Sequence, residues 1–239
     1  MTAVDFGTGP FPHPVEAGAA ALFDDWAAAG RDRSMADGHR DVTGQLLDNW
    51  ALDAAHHVLD VGCGNGWAVR WMLARGAGAG AGVDVSAAMI ARAQGLRDGG
   101  RCHFRVASAA SLPFAEGAFS HILSVESLYY YPDPAAALAE WARVAAPGAR
   151  LGVIVDLYRE SPATHAWIGA LGVPVHLLSE ADLPALATAA GWTRATTVRL
   201  RDRRPPTPPA DFAPSPFWPD YGTYLSHREH GSLALLASR

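Results

Sequence analysis

The chain has 239 residues, of which 49% are hydrophobic and 18% charged, and its formal net charge is −5. This length can bury a full core and favours one domain over two. The acidic balance argues against a nucleic-acid partner, because binding phosphates needs clustered Lys or Arg. With no apolar run of about 18 residues and no signal-peptide features in residues 1–5, we expect a cytoplasmic protein without a membrane partner.

Two helices are predicted before the first strand. Residues 15–29 and 36–52 carry apolar side chains at helical spacing. Residues 30–39 lie between them and contain two glycines, so we predict a linker there. Two interpretations of this linker stay open: it folds over a bound cofactor, or it is an exposed loop between helices that cover the sheet edge. Residues 1–55 would form an N-terminal helical cap.

A strand followed by a glycine-rich turn comes next. Residues 58–66 are Val-Leu-Asp-Val-Gly-Cys-Gly-Asn-Gly. The first four fit a buried strand, and the three glycines allow a tight turn where a side chain would block a ligand. A helix is predicted over residues 67–74, so its unpaired N–H groups would form a cradle for a polar or anionic group.

Strands and helices then alternate. Residues 76–81 are predicted to be a loop, Ser86 a helix cap, and residues 98–100 a turn. Strands are predicted at 82–85, 101–107, 119–125 and 149–155, and further helices at 87–96 and 133–146. This alternation is typical of a parallel, doubly wound α/β sheet.

The last third of the chain is less regular. Residues 158–178 lose periodicity, and we predict a loop or lid there. A helix over 179–190 begins with the capping pattern Ser-Glu-Ala-Asp, and a strand follows at 192–200. Residues 204–219 contain seven prolines and are predicted to be a stiff connection before a last strand at 232–238.

Several ordered motifs together resemble class I S-adenosylmethionine (SAM) dependent methyltransferases. These motifs are the glycine turn, Gly82-Val83-Asp84-Val85-Ser86, Ser111-Leu112-Pro113-Phe114 and Arg143-Val144-Ala145-Ala146-Pro147-Gly148. The resemblance covers about residues 56–157 and is greatest for the small-molecule branch that includes ubiquinone and menaquinone biosynthesis methyltransferases. It implies a single domain with a Rossmann-like, seven-stranded, mostly parallel sheet whose last strand is antiparallel. Residues 56–157 would then be the SAM-binding core, 158–178 a lid, and 179–239 a C-terminal helix and strand pair.

Two aspartates are the main candidates for binding the cofactor. Asp84 follows the middle glycine, Gly64, by 84 − 64 = 20 positions, where a carboxylate can accept hydrogen bonds from ribose hydroxyls. The same spacing occurs in nicotinamide enzymes, so an oxidoreductase is an alternative. The resemblance implies that Asp60 helps to hold the methionine amino group. The full set of contacts predicted for SAM and for its product S-adenosylhomocysteine is Asp60, Gly62, Cys63, Gly64, Gly66, Asp84, Val85, Met89, Ser108, Ala109 and Ser124.

The chain departs from the family after the third predicted strand. The family commonly has Gly-Asp-Ala there, with the aspartate bonding the adenine amine, whereas this chain has Ala-Ser-Ala around Ser108. A serine accepts a hydrogen bond without a charge, so we expect weaker adenine binding or a substitute partner. On this basis the substitution Ser108→Asp should tighten SAM binding.

The candidates for catalysis follow the fourth and fifth predicted strands. The family often has a histidine near Tyr130, so a tyrosine here removes a base and adds an aromatic wall that favours a cation. Glu126 can orient the amino group or accept an acceptor proton, provided that it faces the cleft. The candidate set is Glu126, Tyr130, His165 and His176, with Asp156 and Tyr158 as further possibilities.

No metal is expected, because methyl transfer from SAM does not require one. The neighbouring histidines His56 and His57, and His227 with His230, are weak metal signals, and Cys63 and Cys102 do not have zinc-site spacing. We therefore predict direct in-line methyl transfer from SAM to a small-molecule acceptor. A non-catalytic SAM-binding protein is a second alternative, and the acceptor atom and the oligomeric state stay open.

Overall fold

The computed structural model of the protein describes residues 14–96 and 100–239. Residues 1–5, discussed above for a leader, and most of the predicted turn at 98–100 lie outside this range. The described helices are α1 (Pro14–Ala28), α2 (Arg31–Leu47), α3 (Trp67–Ala74), α4 (Ala87–Gly95), α5 (Pro134–Val144), α6 (Ala166–Leu171), α7 (Asp182–Ala189) and α8 (Tyr221–His230). The described strands are β1 (His57–Val61), β2 (Ala79–Asp84), β3 (Cys102–Val106), β4 (Phe119–Val125), β5 (Ala145–Val155), β6 (Thr193–Leu200) and β7 (Ser232–Ser238).

The seven described strands form one sheet in the order β3-β2-β1-β4-β5-β7-β6. The first five are parallel, and β7 runs antiparallel to both β5 and β6. This confirms the predicted Rossmann-like sheet with an antiparallel last strand. The strand order reverses between β1 and β4, and ligands of such sheets bind in the crevice at that point.

The core lies on both faces of the sheet. Trp141 of α5 and Trp192 are fully buried on one face, and each indole N–H donates to a backbone carbonyl, of Ala109 and Leu138 respectively. Leu46, Leu47 and Met72 from α2 and α3 pack on the other face. Within the described part of the chain, none of the helices combines the length and apolar character needed to cross a membrane.

The prediction of a loop at residues 76–81 was wrong for its second half. Strand β2 already begins at Ala79, where it pairs with His57. A Cβ atom added at Gly80 would lie 2.6 Å from Cγ1 of Val69, so the small residues let α3 pack directly on the strand. Gly80 therefore reflects close packing of helix and strand, whereas Gly76 and Gly78 lie close to the backbone carbonyls of Leu52 and Ala54.

The boundary between α5 and β5 also differs from the prediction. Asp133 caps α5 as expected, since its carboxylate accepts the N–H of Ala136. The helix ends at Val144, however, and β5 begins at Ala145, which pairs with Phe119. Gly148, predicted to end the helix, lies inside the strand with φ 79° and donates its N–H to the carbonyl of Arg239.

The predicted linker at residues 30–39 is mostly helical, which corrects the sequence-based interpretation. Only Ala29 and Gly30, the latter with φ 74°, separate α1 from α2. The carboxylate of Asp32 accepts a hydrogen bond from Asn65 Nδ2 at 3.0 Å and pairs with Arg92 at 3.0 Å. These bonds to the glycine turn and to α4 are long-range, so local sequence did not reveal them.

The C-terminal third contains two helices that were not predicted. Helix α6 lies within the predicted lid, and α8 begins after the proline-rich connection with Asp220 as its cap. The predicted capping pattern of α7 is confirmed, because Ser179 and Asp182 exchange two hydrogen bonds between side chain and backbone. The prediction for β7 is confirmed at both ends.

Candidate functional site

The glycine turn after β1 forms the floor of a hollow at the carboxyl edge of the sheet. Gly62, Gly64 and Gly66 all have positive φ, at 77°, 51° and 75°. A Cβ atom at Gly62 would lie 2.4 Å from Cβ of Ser127, and one at Gly66 would lie 2.4 Å from the ring of Phe104. A Cβ atom at Gly64 would meet no atom within 4 Å. Gly62 and Gly66 therefore let the walls approach, whereas Gly64 faces open space.

Two buried carboxylates lie beside this floor. Asp84 accepts the N–H of Gly64 at 2.8 Å and the N–H of Ser86 at 2.9 Å, while burial raises its pKa. The Oδ1 atom of Asp60 is buried and has no hydrogen-bond partner among the described residues. Burial and the nearby charge of Asp84 raise the pKa of Asp60 to about 8.

The orphan oxygen of Asp60 provides a test of whether the residues present suit SAM. A buried acceptor without a donor is costly, and a ligand ammonium group satisfies it. The open space over Gly64, where an added Cβ atom would meet nothing within 4 Å, also lets a ligand approach the backbone closely. The residues of the hollow therefore fit the cofactor that the sequence predicted.

Most of the predicted cofactor contacts meet at this hollow, which consists of two cavities of about 70 and 50 Å³. Gly66, Ser108 and Ser124 do not line either cavity; Ser124 is buried and bonded to Ser127. The residues that do line them are Asp60, Gly62, Cys63, Gly64, Asp84, Val85, Met89 and Ala109. Their role as cofactor contacts stays a prediction.

Ser108 has an acidic partner that the sequence did not reveal. Its hydroxyl donates to the carboxylate of Glu16 at 2.6 Å. Glu16 lies in α1, is only 4% exposed, and lines the larger cavity of the hollow. A carboxylate therefore lies beside position 108, where the resemblance predicts one, and it comes from the N-terminal helix.

Helices α1 and α2 cover the hollow. The carboxylate of Asp24 accepts hydrogen bonds from the Ser86 hydroxyl at 2.5 Å and the Ala88 N–H at 3.0 Å, so α1 is attached to the start of α4. Phe23 of α1 and Met35 of α2 line the hollow directly. Of the two interpretations of residues 30–39, the structure supports a cover over the hollow, formed by a helix and not by a loop.

A larger cavity of about 530 Å³ adjoins the hollow. Its walls come from the N-terminal helices, from α6, from the proline-rich connection and from α8. Their rings pack mainly edge to face, with Trp167 and Trp218 centroids 5.0 Å apart. The aromatic lining consists of Trp26, Tyr129, Tyr130, Trp167, Phe217, Trp218 and Tyr224. Glu126 and Met35 line this cavity and both parts of the hollow, so they mark the place where the spaces meet.

Four polar side chains gather at this meeting place, and we call His39, Glu126, Asp156 and His227 the junction cluster. The Nε2 atoms of both histidines lie 3.4 Å from the same oxygen, Oδ2 of Asp156. Glu126 accepts the N–H of Asp156 at 2.5 Å and the hydroxyl of Tyr129 at 2.8 Å. Its φ of 55° is rare for a residue with a side chain, and such strain concentrates at functional sites.

The electrostatics of the junction cluster follow from its burial. Burial opposes a charge on His39, but the hydrogen bond to Asp156 and the field of Glu126 outweigh it and raise the pKa of His39 to about 9. Burial and the charge of Asp156 raise the pKa of Glu126 to about 8. For Asp156, burial is outweighed by His227 and His39, which hold its pKa well below the usual range.

The predicted catalytic residues separate into two pairs. Glu126 and Tyr130 line both the hollow and the large cavity. His165 and His176 do not line the three cavities described above; their Nε2 atoms lie 3.3 Å from the carbonyls of Tyr158 and Pro132. Sequence reasoning missed His39, which lay in the supposed linker, and gave no catalytic weight to His227, which lies in the unpredicted α8.

Comparison with known proteins finds methyltransferases both by sequence and by structure. A family model described as a methyltransferase domain matches residues 59–153. A chain from the solved complex between the Haloferax volcanii Trm112 methyltransferase activator and a methyltransferase has a TM-score of 0.83. It is 29% identical, and the match covers 90% of this chain and 96% of that one.

Curated relatives are also methyltransferases. Methyltransferase GfsG of Streptomyces halstedii is 34% identical over 188 residues, which are 74% of this chain and 66% of that protein. O-methyltransferase rstn1 of Aspergillus nomiae is 31% identical, covering 67% of this chain and 75% of that protein. The ubiquinone biosynthesis O-methyltransferase of Hahella chejuensis is 39% identical, but over only 44% of this chain and 45% of that protein.

The matched segments thus span less than two thirds of several relatives. The match to rstn1, however, covers three quarters of that protein, and the family model includes the glycine turn, Asp84, the whole of β2, β3 and β4, and most of β1 and β5. The chain therefore belongs to the class I SAM-dependent methyltransferase family.

Proposed function

We propose that this protein transfers the methyl group of SAM to a hydroxyl oxygen of a small-molecule acceptor. One observation carries the proposal: Glu126 and Met35 line both the hollow at the glycine turn and the large aromatic cavity, so a cofactor site and an acceptor site open into each other. Several curated relatives are named O-methyltransferases, which supports oxygen as the receiving atom.

Residues of the hollow would hold the cofactor. The orphan oxygen of Asp60 would accept from the methionine ammonium, and Asp84 from the ribose. Glu16, which lines the hollow and accepts the hydroxyl of Ser108, would accept from the adenine amine. When bound, SAM supplies a methyl group on a positively charged sulfur, which direct displacement by an oxygen nucleophile can transfer without a metal or a covalent enzyme intermediate.

The junction cluster and the aromatic walls would act on the acceptor. Glu126 is placed to accept a hydrogen bond from the hydroxyl group of the methyl acceptor. This bond would orient the hydroxyl oxygen towards the hollow. Tyr129 and Tyr130, both buried, would exclude water from this meeting place. The ring-lined cavity suits a compact, partly hydrophobic acceptor better than a macromolecule.

The first test is calorimetry on purified, ligand-free protein. SAM and S-adenosylhomocysteine should bind, whereas NAD and NADP should not. Failure of both sulfur nucleosides to bind would overturn the proposal, and binding of NAD alone would favour the oxidoreductase alternative.

The second test uses isotopically labelled methyl donor with a cell extract, followed by mass spectrometry of labelled products. We expect a small molecule to acquire the label on oxygen. SAM binding without any labelled product would favour the non-catalytic alternative.

Once the acceptor is known, the substitution Glu126→Gln should lower turnover while leaving S-adenosylhomocysteine affinity within about threefold of the wild type. Unchanged turnover would remove Glu126 from the mechanism.

We also propose that the protein is located in the cytoplasm, and imaging of a tagged protein tests this.

A further inference from the structure

The junction cluster contains a set of donor atoms that methyl transfer does not require. The Nε2 atom of His39 and carboxylate oxygens of Glu126 and Asp156 lie within 4.8 Å of one another. These residues come from three separate elements: α2, the end of β4 and the end of β5. A first-row cation sits about 2.0–2.2 Å from each N or O ligand, so donors around it are separated by roughly 3–4 Å. Small side-chain adjustments would bring all three atoms to that spacing.

The donor groups of His39 and Glu126 are already oriented by outer partners. The Nδ1 atom of His39 lies 2.8 Å from the carbonyl of Met35, which leaves Nε2 directed at the carboxylates. Tyr129 donates to one oxygen of Glu126, and the backbone of Asp156 donates to the other. Metal-binding histidines and carboxylates in proteins are typically held by outer hydrogen bonds of this kind.

A second, independent observation points to a missing ligand. The Oδ1 atom of Asp156 is buried and has no hydrogen-bond partner among the described residues, and Asp156 as a whole is only 5% exposed. A buried carboxylate oxygen without a donor or cation is costly. The other oxygen of Asp156 is shared by His39 and His227, so the unsatisfied one is available to a further cation.

We propose that His39, Glu126 and Asp156 bind one first-row divalent transition-metal cation, with His227 as an outer partner of Asp156. One imidazole and two carboxylates form a mixed N/O ligand set, which suits Mn²⁺, Fe²⁺, Co²⁺ or Zn²⁺ better than Mg²⁺ or Ca²⁺. The cation would lie between Nε2 of His39 and the two carboxylates. This site goes beyond the proposed function, because it forms without SAM and without an acceptor.

The position of the site indicates its use. All three ligand residues line the large cavity, and His39 and Glu126 also line the hollow. Coordination positions not occupied by the protein would therefore face the place where the two spaces meet. A hydroxyl group of a neutral or anionic acceptor could bind there through its oxygen, with the cation polarising the O–H bond.

The test is a titration of chelator-treated, dialysed full-length protein with Co²⁺ and with Mn²⁺, without SAM. We expect one equivalent bound with a dissociation constant in the micromolar range or below, and for Co²⁺ a visible absorption band from N/O coordination. Mg²⁺ should bind at least tenfold more weakly. Absence of both heat and a visible band in the wild-type protein would overturn the proposal.

Variants locate the site. His39→Gln and Asp156→Asn should each weaken Co²⁺ binding at least tenfold and change the absorption band. His103→Gln, which removes an imidazole from β3, is the matched control and should bind like the wild type. Equal binding by all variants would place the metal elsewhere and overturn the assignment.

Thermal unfolding and S-adenosylhomocysteine binding of each variant show whether it is folded. If one variant is unfolded, Glu126→Gln provides the same test at the third ligand. Since metal binding is measured without cofactor, its failure would leave the methyltransferase proposal standing, and the reverse also holds.

Discussion

The hollow at the glycine turn and the large aromatic cavity meet at Glu126 but are built in different ways. The floor of the hollow is backbone from a single run, residues 58–66, shaped by glycines with positive φ. The large cavity is walled by side chains from helices and loops that are far apart in the chain, such as Trp26, Trp167 and Tyr224. The first region should therefore be sensitive to any added atom, whereas the second should tolerate change and set specificity.

The largest effect is expected for Gly62→Ala in the hollow. The left-handed backbone costs the new side chain about 1 kcal/mol or more, and the collision with Ser127 adds about 1–3 kcal/mol of overpacking. Denaturant titration should show this loss, and calorimetry should show S-adenosylhomocysteine binding reduced at least a hundredfold.

Gly148→Ala is the matched control for this prediction. Gly148 has φ 79°, close to the 77° of Gly62, but a Cβ atom there would meet nothing within 4 Å. The Gly148→Ala variant should lose only the stability that the left-handed backbone costs, about 1 kcal/mol, and should retain cofactor binding. Equal destabilisation by the two substitutions would show that the close approach of Ser127 is unimportant.

The next effect tests the aromatic cavity through Trp167→Leu. The substitution removes ring packing against Trp218 and the hydrogen bond from the indole N–H to the carbonyl of Phe217 at 2.8 Å. Loss of aromatic contacts worth about 1.4 kcal/mol corresponds to a tenfold rise in the acceptor KM. Cofactor affinity should stay within twofold.

Trp71→Leu serves as the control for the cavity. Trp71 lies in α3 and does not line the large cavity, so both the acceptor KM and the cofactor affinity should match the wild type. If Trp167→Leu instead weakened the cofactor and the acceptor equally, the two spaces could not be regarded as separate sites.

A smaller effect is expected for Glu16→Gln at the edge of the hollow. Removing the charge beside Ser108 should weaken S-adenosylhomocysteine about five- to tenfold, as loss of a charge-assisted hydrogen bond does. The substitution Asp25→Asn, at an exposed position of the same helix, is the control and should have no effect.

The same contact changes the expected result for Ser108→Asp. In the wild-type background it would place two carboxylates side by side, so we now expect weaker cofactor binding, not tighter. In the Glu16→Gln background, Ser108→Asp should restore most of the lost affinity. A lack of rescue in calorimetry would contradict the assignment of Glu16 as the substitute partner.

The smallest effect concerns His121, which lies outside both regions. Burial, His56 and Arg150 lower the pKa of His121 to about 4, from 6.5 in an unfolded chain. Between these two pH values His121 binds a proton in the unfolded state but not in the folded state. The free energy of unfolding therefore has its full value above pH 6.5 and decreases as the pH falls towards 4. We expect His121→Phe to remove about 1–3 kcal/mol of this acid sensitivity. Unfolding free energies at pH 7.5 and 4.5 measure it, and a variant with the same pH dependence as the wild type would contradict it.

Elements with local signals were predicted well. Strand β4, helix α3 and strand β7 have the predicted bounds, because apolar runs and flanking turn residues specify them within a few positions. Ser86 and Asp133 cap their helices as expected, since a cap bonds a backbone N–H only a few residues ahead.

Elements that depend on distant contacts were not predicted. Helix α8 has a mostly polar sequence without an apolar face, and its residues find partners such as Asp202, which bonds Arg228. The start of β2 was not predicted because it contains glycines, and the close approach of Val69 to Gly80 that explains one of them is seen only in the tertiary structure. The pairing of Ser108 with Glu16 spans 92 positions of the chain.

The sequence by itself determined the parallel sheet, the glycine turn and the position of Asp60 and Asp84, because a strand and its turn form from neighbouring residues. Only the tertiary structure decided which side chains face the acceptor. His39, Glu126, Asp156 and His227 come from four elements, and no local spacing relates them. Their contacts exist because burying the apolar faces of those elements brings their polar ends to one edge of the sheet.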